Sequence, residues 1–173
     1  LLNLGGKALG LKTLLSMGYY VPDFIVVQYN ENLDSPETRE KINVFIDKYE
    51  NFAVRSSANL EDSEKSSFAG QFISFLNVNK DNIFNSVIEV RNSSLNENVS
   101  SYLKGLNLED EKICMNVIIQ EFKEPEISGV WMGNGLKGGR IEWAYGRGDL
   151  VVNGQVSPFY ENYDNSKLID TNS

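Results

Sequence analysis

Two glycines and a lysine stand directly ahead of a helical segment near the start of the chain. The run Leu4-Gly5-Gly6-Lys7-Ala8 places Lys7 at a helix N-terminus, where unpaired backbone amides and the helix dipole favour anions. The lysine ammonium can meet a phosphate there as a point charge. The spacing matches neither Gly-x-Gly-x-x-Gly nor Gly-x4-Gly-Lys-Ser. Taken alone, this motif therefore favours a simple glycine turn before a helix with an exposed lysine.

A second group of residues surrounds an arginine at the end of a predicted strand. It comprises the runs Val54-Arg55-Ser56-Ser57-Ala58 and Ser66-Ser67-Phe68-Ala69-Gly70-Gln71. The guanidinium of Arg55 can form two parallel hydrogen bonds with phosphate oxygens. Small residues after it let backbone amides approach an anion, and Gly70 lets a loop fold over a ligand. An ion pair between Arg55 and Glu61 or Asp62 is an equally good interpretation.

A third candidate is the apolar run Met115-Asn116-Val117-Ile118-Ile119-Gln120-Glu121-Phe122. Such a strand can present backbone groups and an amide side chain to a purine edge, while its aliphatic neighbours pack on the ring. More often a strand of this kind only forms part of the core. The residues alone leave both interpretations open.

Hydrophobic periodicity predicts the elements that must position these residues. Helices are expected at 7–17, from Pro36 after the cap residue Ser35, and at 79–103, where asparagines and serines can divide the helix in two. Strands are expected at 24–27, 52–55, 72–78, 113–122, 129–132, 140–145 and 149–152. The polar stretch 56–67 is expected to be a loop. This order predicts an α+β fold. Helices and strands are mixed in its first part, and antiparallel strands separated by glycine-containing turns follow.

Composition excludes several classes of function. The formal net charge is −8 and is spread along the chain, so no basic stripe exists to neutralise a nucleic-acid backbone. The apolar runs are too short to span a bilayer, and a cytoplasmic location is expected. Histidine is absent, which removes the most common general base and phosphoryl carrier.

Taken in order, six segments resemble the N-terminal nucleotide-binding domain of the phosphoenolpyruvate synthase and pyruvate phosphate dikinase family. Other relatives are rifampin phosphotransferase, glucan water dikinase and glutamine kinase. The segments are LGGKALGLKTLLSMGYYVPDFIVV, AVRSSANLEDSEKSSFAGQFISFLNV, VIEVRNSSL with SYL, MNVIIQEF, ISGV, and IEWAYGRGDLVVNGQVSP. They span essentially the whole chain, and the Arg-Ser-Ser to Ser-Phe-Ala-Gly-Gln block is highly specific.

The resemblance implies an ATP-grasp-like α+β fold, here truncated, in which two lobes close on ATP and Mg²⁺. It assigns 1–112 to the first lobe, and 113–173 to a hinge strand and part of a β-rich second lobe. By resemblance, Lys7 and Arg55 contact the phosphates in a catalytic role. The further ATP-binding residues that it implies are Ser56, Gly70, Gln71, Ser74, Gln120, Glu121 and Phe122. The family passes a phosphoryl group from ATP to a histidine on a separate domain and then to an acceptor, leaving AMP and phosphate.

Two segments of the chain depart from the family pattern. Gly146-Arg147-Gly148-Asp149 stands where the family has Gly-Leu-Gly-Glu, and Trp131-Met132-Gly133-Asn134 replaces a Phe-Thr-containing stretch. The acceptor therefore stays open among pyruvate, an antibiotic hydroxyl, a glucan or an amide nitrogen. No metal ligands are identified, because the downstream acidic magnesium ligands and the Gln-x-Arg segment have no counterpart before Ser173. The isolated chain is expected to be inactive, with the histidine-carrying and acceptor-binding domains elsewhere in a longer protein.

Two other functions compete with this one. A nucleotide-sensing or protein-interaction module can keep the fold without catalysis. A compact kinase, complete in itself, would have to use Glu142 and Asp149 for magnesium, although two exposed carboxylates on a strand face are the simpler interpretation.

Overall fold

The computed structural model describes residues 4–59, 62–63, 66–67, 72–105, 113–133, 138–152 and 154–164. The chain divides into two compact units, Leu1–Phe122 and Lys123–Ser173. Helices and antiparallel sheets occur together, so the α+β prediction is confirmed. No helix within the described ranges is long and apolar enough to cross a membrane.

The first unit alternates helices and strands. Its elements in chain order are α1 (Gly6–Ser16), β1 (Phe24–Val27), α2 (Pro36–Ile46), β2 (Asn51–Ala58), β3 (Asp62–Ser63), β4 (Ser66–Ser67), β5 (Ser74–Asn79), α3 (Ile83–Asn92), α4 (Glu97–Gly105) and β6 (Met115–Glu121). Four strands form one sheet in the order β1-β6-β2-β5, with every neighbouring pair antiparallel. The pair β3-β4 forms a separate two-stranded sheet.

The core of the first unit lies between one face of the sheet and helices α2 and α3. Alternate residues of the central strands point into it, and helical residues at spacings of three and four meet them. The fully buried members are Val27, Ile42, Phe52, Val54, Ile83, Val87, Val90, Val117 and Ile119. Helices α2 and α3 thus cover one face of the sheet, and the opposite face is left for other contacts.

Local signals place the helices where the sequence predicts them. The Ser35 hydroxyl accepts the backbone N–H of Thr38 at 3.2 Å, and Pro36 occupies the first helical position of α2. Gly18 follows α1 with φ of 82°, the left-handed conformation that commonly ends a helix. The 79–103 segment is divided in two, because a 3-10 turn, Ser93–Leu95, separates α3 from α4.

The expected loop at 56–67 begins later than predicted. Strand β2 continues to Ala58, because its backbone pairs with β6 as far as Met115. Strand β5, which was expected from residue 72, starts at Ser74. The register between β2 and β5 shifts between Phe52 and Val54, which marks a bulge, and Asn77 of β5 has φ of 57° there.

The hinge strand expected from residue 113 corresponds to β6. It lies inside the first sheet, bonded to β1 on one side and β2 on the other. The units therefore divide between Phe122 and Lys123.

The second unit is a β-meander with one short helix. Strands β7 (Ile127–Gly133), β8 (Gly139–Tyr145) and β9 (Phe159–Tyr163) pair in sequence order, and α5 (Gly148–Val152) follows β8. The strand predicted at 149–152 is wrong, because Gly146 turns the chain with φ of 81° and Leu150 accepts hydrogen bonds from Gln155 and Val156 instead of pairing in the sheet. Strand β9 was not predicted. It pairs with β8, and its Phe159 stacks on Trp143 with ring centroids 4.7 Å apart.

A hydrogen bond between a phenol and a carboxylate joins the region after α2 to the residue before β1. It predicts how the stability of the fold depends on pH. Tyr49 donates its hydroxyl to Asp23, and this bond, followed by burial and the Asp23 charge, raises the pKa of Tyr49 from 10.0 to about 12. A raised folded-state pKa means that the folded protein holds the proton more tightly. The resulting stabilisation is present below about pH 10 and disappears as the pH rises to about 12.

Ultraviolet absorbance titration of the folded chain should therefore show a phenol ionising near pH 12, and Tyr49→Phe should remove it. Circular dichroism at each pH confirms that the chain is still folded. A Tyr49→Phe titration curve that loses a phenol ionising near pH 10 would contradict the assignment.

Candidate functional site

Strand register places several of the predicted ATP-binding residues on the sheet face opposite the α2-α3 core. Arg55 of β2 pairs with Ser74 of β5 on one side and with Ile118 of β6 on the other. Paired residues in an antiparallel sheet share a face, so Arg55 and Ser74 point the same way. Gln120 lies two residues beyond Ile118 and therefore shares this face too.

The N-terminus of α1 brings Lys7 to the same strand. The Lys7 ammonium lies 3.3 Å from the hydroxyl oxygen of Ser56, directly after Arg55. Ser56 itself is buried, which fixes its position. Lys7, Arg55, Ser56 and Ser74 are thus assembled around one strand, although they are separated by up to 67 positions in the sequence.

The residues predicted to lie near the adenine are held by hydrogen bonds of the fold. The side-chain amide of Gln120 donates to the carbonyl of Pro22 at 3.1 Å. The backbone N–H of Glu121 donates to Asp23, and that of Phe122 donates to Asn51. These bonds fix the end of β6 and orient Gln120, whose side chain is 7% exposed.

Part of the predicted site lies outside the described residues. The residues that lie outside include Gly70, which was expected to let a loop fold over the phosphates, the expected ATP-binding residue Gln71, and Glu61, a candidate partner of Arg55. The backbone of Asp62 is described as part of β3, but its side chain is not.

Two polar residues that the sequence analysis left aside connect α1 to the sheet. The hydroxyl of Ser57 accepts the N–H of Ala8 at 3.0 Å and donates to the carbonyl of Leu4 at 2.8 Å. The side-chain amide of Asn116 donates to the Ser57 carbonyl at 3.1 Å, and its oxygen accepts the N–H of Tyr29 at 3.1 Å. Both side chains are fully buried. The signal available in the sequence was a lone asparagine in an apolar strand, since buried polar groups almost always have partners.

A half-buried arginine holds the loop that Asn116 contacts. The guanidinium of Arg91 donates to the carbonyls of Gln28 and Glu31 at 2.8 and 3.0 Å. Burial lowers the pKa of Arg91, while the charge of Glu31 opposes this shift. The loop after β1 is thus fixed to α3 and to β6.

The candidate magnesium ligands of the compact-kinase hypothesis are engaged in ion pairs. Glu142 pairs with Arg140 at 2.9 Å, and Asp149 pairs with Arg147 at 3.1 Å. Within the described ranges, no group of three or more His, Cys, Asp or Glu side chains could hold a metal ion. As the described part of the chain holds them, these two paired carboxylates do not fit a magnesium site.

Comparison with known proteins assigns the chain to a family. Residues 31–170 match the family described as pyruvate phosphate dikinase, AMP/ATP-binding domain. The chain belongs to this family. Arg55, Ser56, Ser74 and the β6 residues lie within the matched range, whereas Lys7 precedes it. The placement of Lys7 therefore depends on its own contact with Ser56.

Individual relatives of this dikinase-type domain carry several names. The chain is 30% identical to an uncharacterised phosphotransferase, YvkC, of Bacillus subtilis, over 89% of the chain and 22% of that protein. It is 34% identical to phosphoenolpyruvate synthase of Aeropyrum pernix, over 61% of the chain and 14% of the synthase. It is also 31% identical to rifampicin phosphotransferase of Streptomyces sviceus, over 62% of the chain and 13% of that enzyme. The chain thus spans less than a quarter of the length of these relatives.

Proposed function

We propose that the first unit binds ATP on the polar face of its sheet, with Lys7 and Arg55 contacting the phosphates. The observation that carries this proposal is the assembly of Lys7, Arg55 and Ser56 at one strand of an AMP/ATP-binding family domain. Lys7 supplies a compact positive charge, and Arg55 supplies a planar fork that matches two phosphate oxygens. Ser74, paired with Arg55 across the sheet, lies within the same site.

The remaining predicted residues complete the proposed site. Gln120, held by Pro22, lines the adenine end together with Glu121 and Phe122. On the strength of the resemblance alone, Gly70 belongs with Ser74 to the glycine loop that covers the phosphates, and Gln71 is a further ATP-binding residue. The ATP-grasp-like fold is also part of the proposal.

The longer protein is proposed to be a dikinase-type phosphotransferase. It would convert ATP to AMP and phosphate, phosphorylating a carrier histidine and then a small acceptor such as pyruvate, an antibiotic or an amide. Its relatives include a phosphoenolpyruvate synthase and a rifampicin phosphotransferase. The chain has no histidine, so the carrier has to be supplied by another part of the protein. The role left to these residues is to bind and orient the phosphates and to stabilise their charge.

Isothermal calorimetry of the purified chain with ATP tests the phosphate site. Saturable binding is expected, and Lys7→Ala should weaken it by about tenfold or more, since a hydrogen bond to a charged group contributes about 1.5 to 3 kcal/mol. Lys12→Ala is the matched control, because it removes the same charge from an exposed position of the same helix. Equal affinity of the Lys7 and Lys12 variants would contradict the assignment of Lys7.

A further inference from the structure

Helix α1 begins with a residue that cannot cap it. Gly5 occupies the N-cap position and has no side chain to accept a backbone N–H. The first four N–H groups of a helix have no partner within the helix, and a capping side chain normally satisfies one of them. The Ser57 hydroxyl takes this role from the sheet, because it accepts the N–H of Ala8, the third residue of α1.

The same hydroxyl also holds the chain that enters the helix. It donates its proton to the carbonyl of Leu4, so its donor and one acceptor position are both used. The two bonds, 2.8 and 3.0 Å long, hold Leu4 and Ala8, the residues on either side of Gly5, Gly6 and Lys7. The first turn of α1 is therefore fixed relative to β2 by one buried side chain.

The backbone of Ser57 is held just as firmly. A Cβ added to Gly5 would lie 2.3 Å from the Ser57 carbonyl oxygen, so glycine is required for this approach. Asn116 donates to that carbonyl from β6 and accepts the N–H of Tyr29. Burial of apolar side chains adds little to this anchoring, since Ala8 is the one buried residue of α1.

Lys7 lies between the residues that Ser57 binds, and Arg55 lies two positions before Ser57 on the same strand face. We infer that Ser57 is a positioning residue, which holds the first turn of α1, and with it Lys7, against β2 next to Arg55. This inference rests on the proposed function, because it concerns the same ATP site. It adds a residue that itself need not touch the nucleotide.

Removing the Ser57 hydroxyl tests whether Ser57 positions Lys7 or only supports the fold. Ser57→Ala should weaken ATP binding by about three- to tenfold, the effect of losing one or two hydrogen bonds that orient a ligand group. Adenosine lacks the phosphates, so its affinity should change less than about twofold. In a Lys7→Met background, Ser57→Ala should have no further effect on ATP affinity, because the two residues act through one contact.

Ser93→Ala is the matched control, since Ser93 is also a buried serine, and its hydroxyl donates to the Val90 carbonyl at 2.7 Å. It should leave both affinities unchanged. Equal losses for ATP and adenosine in Ser57→Ala, or a full additional loss of ATP affinity in the Lys7→Met background, would show that Ser57 only supports the fold. Unchanged ATP affinity in Ser57→Ala would also refute its positioning role. Absence of ATP binding by the wild-type chain, in contrast, would overturn the proposed function and the inference with it.

Discussion

Arg55→Ala is expected to weaken ATP binding by about ten- to a hundredfold. Arg55 lies on the face of β2 that Gln120 and Ser74 share, and its backbone is held between two neighbouring strands. The substitution removes a charge-assisted contact with phosphate, which contributes about 1.5 to 3 kcal/mol. Because strand pairing fixes the backbone of Arg55 before ATP binds, only its side chain has to be ordered on binding.

Arg55→Lys separates charge from geometry. Lysine keeps the positive charge but loses the planar fork, so it should recover only part of the affinity. Arg39→Ala serves as the control for net charge, because Arg39 is exposed on α2 and pairs with Asp34. Calorimetry with ATP, ADP and AMP on each variant should show the largest Arg55 effect with ATP. Equal ATP affinity in wild type and Arg55→Ala would contradict the phosphate role and leave the ion-pair interpretation of Arg55.

The parts of the fold that the sequence predicted well are those with local causes. Helix α2 begins where a serine cap precedes proline, and α1 ends before a glycine with positive φ. These effects depend on neighbours within a few residues, so they can be read from the sequence. The hydrophobic strands at 24–27 and 113–122 were likewise found from their composition alone.

Errors occurred where distant pairing decides the structure. Ser56 and Ser57 have no apolar period, yet they belong to β2 because β6 lies beside them. The same pairing places β6 inside the first unit, which extends to Phe122. The segment 149–152 has the β-branched residues of a strand but forms a helix, since the preceding glycine turns the chain. Tertiary pairing thus overrides local propensity in β2, whereas a local turn does so at 149–152.

The candidate site shows the same division. Arg55 and Lys7 were identified from residue type and resemblance, and the structure brings them to one strand. Ser57 and Asn116 were missed, because a small polar residue acquires its role only from the partner that the fold supplies. The sequence contains no periodicity that links Ser57 to Ala8, which lies 49 positions away.

Gly5→Ala is expected to release α1 from the sheet. Gly5 has φ of 76°, and an added Cβ would lie 2.3 Å from the Ser57 carbonyl oxygen and 2.5 Å from its carbon. With ψ of 163°, Gly5 lies in a positive-φ region that is essentially restricted to glycine, so this conformation costs another residue about 1 to 3 kcal/mol, and overpacking against fixed backbone costs about 1 to 3 kcal/mol. The combined cost of about 2 to 6 kcal/mol is large for a helix with a single buried residue, so α1 should detach while the rest of the unit remains folded.

Gly10→Ala is the matched control within the same helix. No atom lies within 4 Å of a Cβ at Gly10, and its backbone is helical, so alanine should stabilise α1 by about 0.5 to 1 kcal/mol. Hydrogen exchange of the α1 amides should therefore become faster in Gly5→Ala and slower in Gly10→Ala. Both tryptophans, Trp131 and Trp143, belong to the second unit, so tryptophan fluorescence checks that this unit stays folded in both variants.

The loss of ATP affinity in Gly5→Ala should equal the loss in Lys7→Ala, because a detached α1 no longer places the lysine beside Ser56. Adding Lys7→Ala to Gly5→Ala should then have no further effect. If Gly5→Ala instead accelerates exchange throughout the first unit, α1 is an integral part of its core and not a separately docked helix. If α1 detaches and ATP affinity is unchanged, the phosphates are bound without Lys7, and Arg55 has to hold them with groups outside this helix.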